Sequence, residues 1–153
     1  MRLMSATPRI LLGIPVFNEA KYVTDVLGEV RRHAGDVLVI DDGSTDDTPL
    51  LLARQPVEVI RHATNRGYCR SMQDMLRWAN FDGYDWLITM DCDLQHEPAA
   101  IPEFSAAIAQ DDCDVVSGTR YLRVNCDDDA PPADRQAINA SMTQLLNDRL
   151  GLQ

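Results

Sequence analysis

The sequence predicts an α/β protein with a mostly parallel sheet and helices on both of its faces. Two observations carry this. Short, near-continuous apolar runs alternate with segments whose apolar residues recur at helical spacing, and that alternation implies parallel crossovers. The runs are also apolar at successive positions, as strands buried on both faces must be.

Taken in order, Ile10-Leu11-Leu12-Gly13-Ile14 is the first strand, closed by Pro15. Val23, Val26, Leu27 and Val30 mark a helix, with Asn18 as an upstream cap. Val37-Leu38-Val39-Ile40 is the second strand and runs into Asp41-Asp42-Gly43-Ser44. Thr48 followed by Pro49 signals a short helix through Ala53, with Asp46 and Asp47 assigned to capping. Val57 to Ile60 is a third strand, followed by Asn65-Arg66-Gly67 and a helix carrying Cys69, Met72, Met75, Leu76 and Ala79. Asp85 to Met90 is a fourth strand ending on Asp91-Cys92-Asp93. Pro98 opens a helix with the stripe Ile101, Phe104, Ala107 and Ile108, and Asp114 to Gly118 is expected as a fifth strand. Residues 122–133, with Asp127-Asp128-Asp129 and Pro131-Pro132, read as a loop. Residues 134–150, with Ile138, Met142, Leu145 and Leu146, read as an amphipathic helix closed by Gly151. No linker divides the 153 residues, so a single domain is expected, with its core over about 10–121.

Composition narrows the function. There are 24 acidic against 14 basic side chains, a net charge of −10, and 19 of the acids are Asp. A phosphate backbone or a polybasic membrane anchor calls for the opposite sign, so nucleic acid is not an expected partner. No apolar run approaches the ~20 residues of a spanning helix, and no signal-peptide stretch opens the chain. Cys69, Cys92, Cys113 and Cys126 lack paired spacing and read as reduced thiols of a cytoplasmic protein.

In an open parallel sheet, ligands bind beyond the carboxyl ends of the strands. Neither GxGxxG nor GxxxxGK[ST] occurs, which removes the main support for dinucleotide and phosphate-loop readings. Asp91 and Asp93, one residue apart at a strand end, would repel one another unless compensated. Mg2+ or Mn2+ would resolve this, taking oxygens from Asp91, Asp93 and Gln95 and completing its shell with substrate phosphates. A bare DxD can also merely cap the next segment, but the strand context and Gln95 favour the cation. Asp41-Asp42 is ordinary turn material in one reading and a base or ribose contact in the other. On the second reading Asp41, Asp42, Asp91 and Asp93 form one cation and nucleotide cluster.

The motifs Ile14-Pro15-Val16-Phe17-Asn18-Glu19, Val39 to Asp46, Asn65-Arg66-Gly67, Asp91 to His96, and Ser117-Gly118-Thr119-Arg120-Tyr121 resemble, in that order, the family 2 glycosyltransferases of the GT-A fold. Within them the dolichol-phosphate mannose synthase-like polyprenyl-phosphate sugar transferases look most similar. The resemblance implies a Rossmann-like GT-A fold and metal-dependent, inverting transfer of a sugar. The donor would be of the GDP-mannose or UDP-sugar type, and the acceptor a polyprenyl or dolichyl phosphate. It implies that Pro15, Phe17, Glu19, Ile40, Asp42, Asp91 and Cys92 line the nucleotide-sugar site. Asp93 and Gln95 would hold the metal with Asp91, and Arg120 would face the donor phosphates or sugar, the alternative for it being a surface Arg at a strand end. Asp93 and Arg120 are the implied catalytic pair. His96 is read as structural, or as supporting the site's ligands from behind.

Family members continue into an acceptor-side segment where this chain ends, so C-terminal truncation is expected. The alternative function is a non-catalytic nucleotide-sugar-binding remnant or interaction module. Peripheral contact with the cytoplasmic face of a membrane and a homodimer remain open.

Overall fold

A computed structural model describes residues 7–92, 97–118 and 133–150. The chain divides into two compact units, Met1–Val116 and Ser117–Gln153.

In the first unit, strands β1 (Ile10–Val16), β2 (Asp36–Asp41), β3 (Glu58–Arg61) and β4 (Trp86–Thr89) form one parallel sheet in the order β3-β2-β1-β4. Alternation along the central strand sorts its side chains between two cores. Leu12, Ile14 and Val16 pack with Val37, Val39 and Ile88 under helix α1 (Val23–Val30), together with Leu52 of α2 (Thr48–Leu52) and Ile101 and Ile108 of α4 (Ile101–Ile108). Leu11, Leu38 and Ile40 pack on the opposite face against Met75 and Ala79 of α3 (Tyr68–Phe81). Gly13 lets α3 approach, since a Cβ there would collide with the Met75 sulfur.

The end of β1 shapes the site. The strand does not stop at Pro15 but continues to Val16, where Asp42 N donates to Val16 O at 2.9 Å. Pairing with β2 accordingly runs on to Val16↔Asp41, whereas pairing with β4 ends at Gly13↔Thr89. Met90 N donates to Gly13 O at 3.2 Å, so Gly13 points towards β4, and by alternation so does Pro15. With no N–H to offer, Pro15 donates no rung on that side, and β1 and β4 part there.

Three local expectations change. Asn18 does not cap α1, whose cap position is Tyr22; it adopts φ 58° and turns its side chain to another loop. Thr48 is the first residue of α2 rather than its cap, and its N–H donates to Asp46 Oδ1 at 2.9 Å. Residues 114–118 are not a strand: Val115 is 80% exposed and the segment pairs with no edge of the sheet. Pro98–Ala100 is a 3-10 turn leading into α4.

In the second unit, Ala133–Leu150 is one helix, α5, on which Ile138, Met142 and Leu145 are exposed. The expected loop at 122–133 lies outside the described residues up to 132.

Candidate functional site

A cleft of about 360 Å³ opens where β1 and β4 part, at the carboxyl ends of β1, β2 and β4 and the start of α3. This is the point where strand order reverses, from β1-β2-β3 on one side to β4 on the other. Pro15, Val16, Phe17 and Glu19 line it from β1, Asp42 from β2, and Asp91 and Cys92 from β4. Asn65, Gly67, Tyr68 and Ser71 close the α3 side. The structure thus brings together Pro15, Phe17, Glu19, Asp42, Asp91 and Cys92 of the residues singled out in the sequence. Ile40 is not among them: it is 0% exposed, on the face of β2 that packs on α3, and supports the cleft from beneath. Asp93, Gln95, His96 and Arg120 lie outside the described residues.

The two adjacent aspartates leave β2 on opposite faces and do different work. Asp41 is fully buried away from the cleft. Its Oδ1 accepts from Ser44 N at 2.8 Å, its Oδ2 pairs with Arg61 Nε at 3.2 Å, and it lines a separate hollow with Arg61 and Leu52. It therefore does not join a cation or nucleotide cluster. Asp42 is 4% exposed and holds the loop before α3. Its Oδ1 accepts from His62 Nδ1 at 2.6 Å and Arg66 N at 2.9 Å, and its Oδ2 accepts from Gly67 N at 2.8 Å. Burial raises the Asp42 pKa, but the His62 hydrogen bond and the two amides outweigh it and hold the carboxyl below its ordinary value.

His62 is 7% exposed, and its Nε2 meets Asp74 Oδ2 at 3.1 Å. Asp74 in turn accepts from Arg70 Nε at 2.8 Å and Arg77 at 2.9 Å. Burial raises the Asp74 pKa as well, and the two guanidinium groups and His62 more than offset it. Each ring nitrogen of His62 thus faces a carboxylate, Asp42 on one side and Asp74 on the other.

The turn between β2 and α2 is braced in the same manner. Gly43 has φ 75°, and a Cβ there would stand 2.5 Å from the Thr64 carbonyl carbon. Asn18 N donates to Ser44 Oγ at 2.9 Å, and Asn18 Oδ1 accepts from Thr45 N at 2.8 Å. On the β4 side, Tyr68 donates its hydroxyl hydrogen bond to Asp91; burial and the Asp91 charge push the phenol above its ordinary pKa. Cys92 is buried and packed into the core, while Cys69 and Cys113 are exposed thiols.

Sequence reasoning did not single out His62 or Ser71. Both are lone polar residues in ordinary surroundings, and the only available signal was the placement of His62 directly after β3.

The parallel sheet with helices on both faces is a Rossmann-like arrangement, and comparison with known proteins gives its family. The chain matches the family described as Glycosyl transferase family 2 over residues 12–152, and it belongs to that family. It is 34% identical over 121 residues to the undecaprenyl-phosphate mannosyltransferase of Micrococcus luteus, across 74% of this chain and 49% of that one. It is 31% identical over 125 residues to the undecaprenyl-phosphate 4-deoxy-4-formamido-L-arabinose transferase of Salmonella choleraesuis, across 75% of this chain and 38% of that one. The chain thus spans half or less of the length of these relatives. Glucosyl-3-phosphoglycerate synthase of Mycobacterium tuberculosis, solved with Mn2+, UDP and glucosyl-3-phosphoglycerate, superposes with a TM-score of 0.57 at 19% identity, over 67% of this chain and 40% of that chain. That likeness is one of fold, and the fold is the Rossmann-like GT-A arrangement.

Proposed function

We propose that this chain carries the donor side of a glycosyltransferase. It would take a sugar from a nucleotide diphosphate sugar of the GDP-mannose or UDP-sugar type and pass it, with inversion, to a polyprenyl phosphate. The observation that carries the reading is the cleft at the β1/β4 parting, with apolar Pro15 and Phe17 on one wall and Asp91 on the other. The two transferases to which the chain is 31–34% identical are both named for undecaprenyl phosphate, which supports the acceptor class.

Among the described residues no three Asp, Glu, His or Cys side chains are placed to hold a metal ion. Asp91 nevertheless brings a carboxylate to the cleft, and Asp93 and Gln95 follow it in the chain. Carboxylate and amide oxygens suit Mg2+ or Mn2+, so we assign a cation to Asp93 and Gln95 with Asp91. When bound, it supplies positive charge for the departing diphosphate. In this reading Pro15, Phe17, Glu19 and Cys92 shape the donor pocket. Asp42 fixes the Asn65–Gly67 loop against it, and Arg120 offers forked hydrogen bonds to phosphate. A lipid phosphate is already an anion, so no general base is required of the protein. Such an acceptor resides in a bilayer, and turnover is expected at a membrane surface. No helix among the described residues is long and apolar enough to cross a membrane.

Isothermal titration with UDP and GDP, with and without Mn2+, tests the donor site. Metal-dependent binding of one of them is expected, and its loss in Asp93→Ala. If neither binds in the presence of Mn2+, the reading fails. Transfer of labelled mannose or glucose to a polyprenyl phosphate tests turnover, and binding without transfer would favour a nucleotide-sugar-binding module instead.

A further inference from the structure

The Asp91 carboxyl is held from across the cleft. Met90 N still donates to Gly13 O, but beyond that rung β4 and β1 part. Asp91 stands just past the parting, on the wall of the cleft, and accepts the hydroxyl hydrogen bond of Tyr68 from the other wall. Tyr68 is the first residue of α3, and the backbone fixes where it starts. Gly67 N, one residue earlier, donates to Asp42 Oδ2 at 2.8 Å, and Asp42 is anchored in turn by His62 at 2.6 Å. The phenol is thus carried on a pinned turn from the β2 side of the cleft to the β4 side.

Packing does not account for this residue. Tyr68 is 56% exposed, so it gains little from burial. Its chemistry suits a different task. A phenol is a neutral donor, so its bond to Asp91 directs the carboxylate without cancelling the negative charge, as an Arg or Lys there would. A carboxylate has about four lone-pair sites, so one accepted bond leaves Asp91 with oxygen lone pairs to offer the cleft. Hydrogen bonds of this kind orient the carboxylates that ligate metal ions.

We propose that Tyr68 is a positioning residue, whose hydroxyl fixes the Asp91 carboxyl in the orientation that receives the divalent cation and so sets the cation affinity of the cleft. The proposal rests on the reading of Asp91 as a cation ligand in a nucleotide-sugar site.

Tyr68→Phe removes the hydroxyl and keeps the ring. The full chain and this variant are titrated calorimetrically with UDP and with GDP over a series of Mn2+ concentrations, well below the melting temperature of each. For the nucleotide that the unsubstituted chain prefers, the Mn2+ concentration giving half of the full affinity is expected to rise about tenfold in the variant. At saturating Mn2+ the nucleotide itself should bind the variant within about twofold, because excess cation makes good the lost orientation. An unchanged Mn2+ midpoint overturns the proposal, and a lower melting temperature beside it would assign the bond to the fold instead. A loss of affinity that persists at saturating Mn2+ also overturns it, since Tyr68 would then act on the nucleotide and not through Asp91. Failure of the unsubstituted chain to bind either nucleotide would reject the donor-site reading itself, and binding indifferent to Mn2+ would reject the cation.

Discussion

His62 Nδ1 lies 2.6 Å from Asp42 Oδ1, across a separation of 20 residues, and its other ring nitrogen lies 3.1 Å from Asp74. The ring ties the carboxyl end of β2 to α3 beneath the cleft. Through Asp42 it also fixes the amides of Arg66 and Gly67. His62→Ala would leave two inward-facing carboxylates without their shared donor, at a cost of about 3 kcal/mol. Denaturant unfolding should show that loss. Hydrogen exchange at the Arg66 and Gly67 amides should accelerate more than exchange in β1. Uniform acceleration across the sheet would show that the ring does not act on this loop in particular.

The same pair sets a pH dependence. Asp42 and Asp74 both have folded pKa values below the ordinary 3.8, so both stabilise the fold only while ionised. Their contribution is complete above the unfolded value and is lost as pH falls through the lower folded values. Stability should therefore decline steeply below about pH 4. Asp42→Asn, already weaker at neutral pH, should decline with a shallower slope over that window. Equal slopes in urea titrations at pH 5, 4 and 3 would exclude Asp42 as a source of the acid limb.

Much of the fold is legible in the sequence because periodicity reports burial. Leu11 to Ile14, Val37 to Ile40 and the Val23-Val26-Leu27-Val30 stripe are all placed by that signal, and parallel pairing follows from the alternation of strand and helix. The cleft follows too, since its residues sit at strand ends. What periodicity does not report is the partner of a lone polar group. Asn18 looks like a helix cap, yet its partners are 26 to 28 residues away. Asp41 and Asp42 look like one acidic pair, yet the pleat sends them to opposite faces. Ile40 stands beside the motif and on the cleft's side of β2, but α3 covers it and leaves no surface for a ligand. The Val115-Val116 run has strand composition, but composition supplies no sheet edge to pair with.

Asn18 can be tested directly. Its side chain braces the 44–46 turn while its backbone sits at φ 58°. Asn18→Ala loses both the bracing acceptor and the tolerance for that conformation, about 2 kcal/mol in sum. Asn18→Gly restores only the backbone freedom and should recover about 1 kcal/mol of it. Thermal melts of the two variants separate the terms, and identical melts would mean that the left-handed backbone carries no cost at this position.

Gly43 is more constrained. Its positive φ alone disfavours a side chain, and a Cβ would also press on backbone atoms of Thr64 and Asn65 at 2.5 to 2.8 Å. Backbone cannot swing aside as a side-chain tip can. Gly43→Ala should therefore cost at least about 2 kcal/mol and push the Asn65–Gly67 loop away from Asp42. Gly67→Ala, at φ 88° but with open space around it, should cost less. Equal destabilisation of the two in chemical denaturation would show that the close approach of the Thr64 backbone is immaterial.

Ile40 and Phe17 separate support from contact. Ile40 is wholly enclosed against α3, so Ile40→Ala removes buried volume from a packed interface and should destabilise the chain by about 2–5 kcal/mol. Phe17 lines the cleft and is 41% exposed, so Phe17→Ala forfeits little packing within the free protein. The second variant should melt close to the unsubstituted chain yet bind its preferred nucleotide about tenfold more weakly with Mn2+ present. The first should melt early and, measured at a temperature where it remains folded, bind within about twofold. The reverse pattern, with Ile40→Ala impairing binding while the fold is intact and Phe17→Ala binding normally, would move the ligand from the β1 wall of the cleft to the β2 side and overturn this placement of the donor.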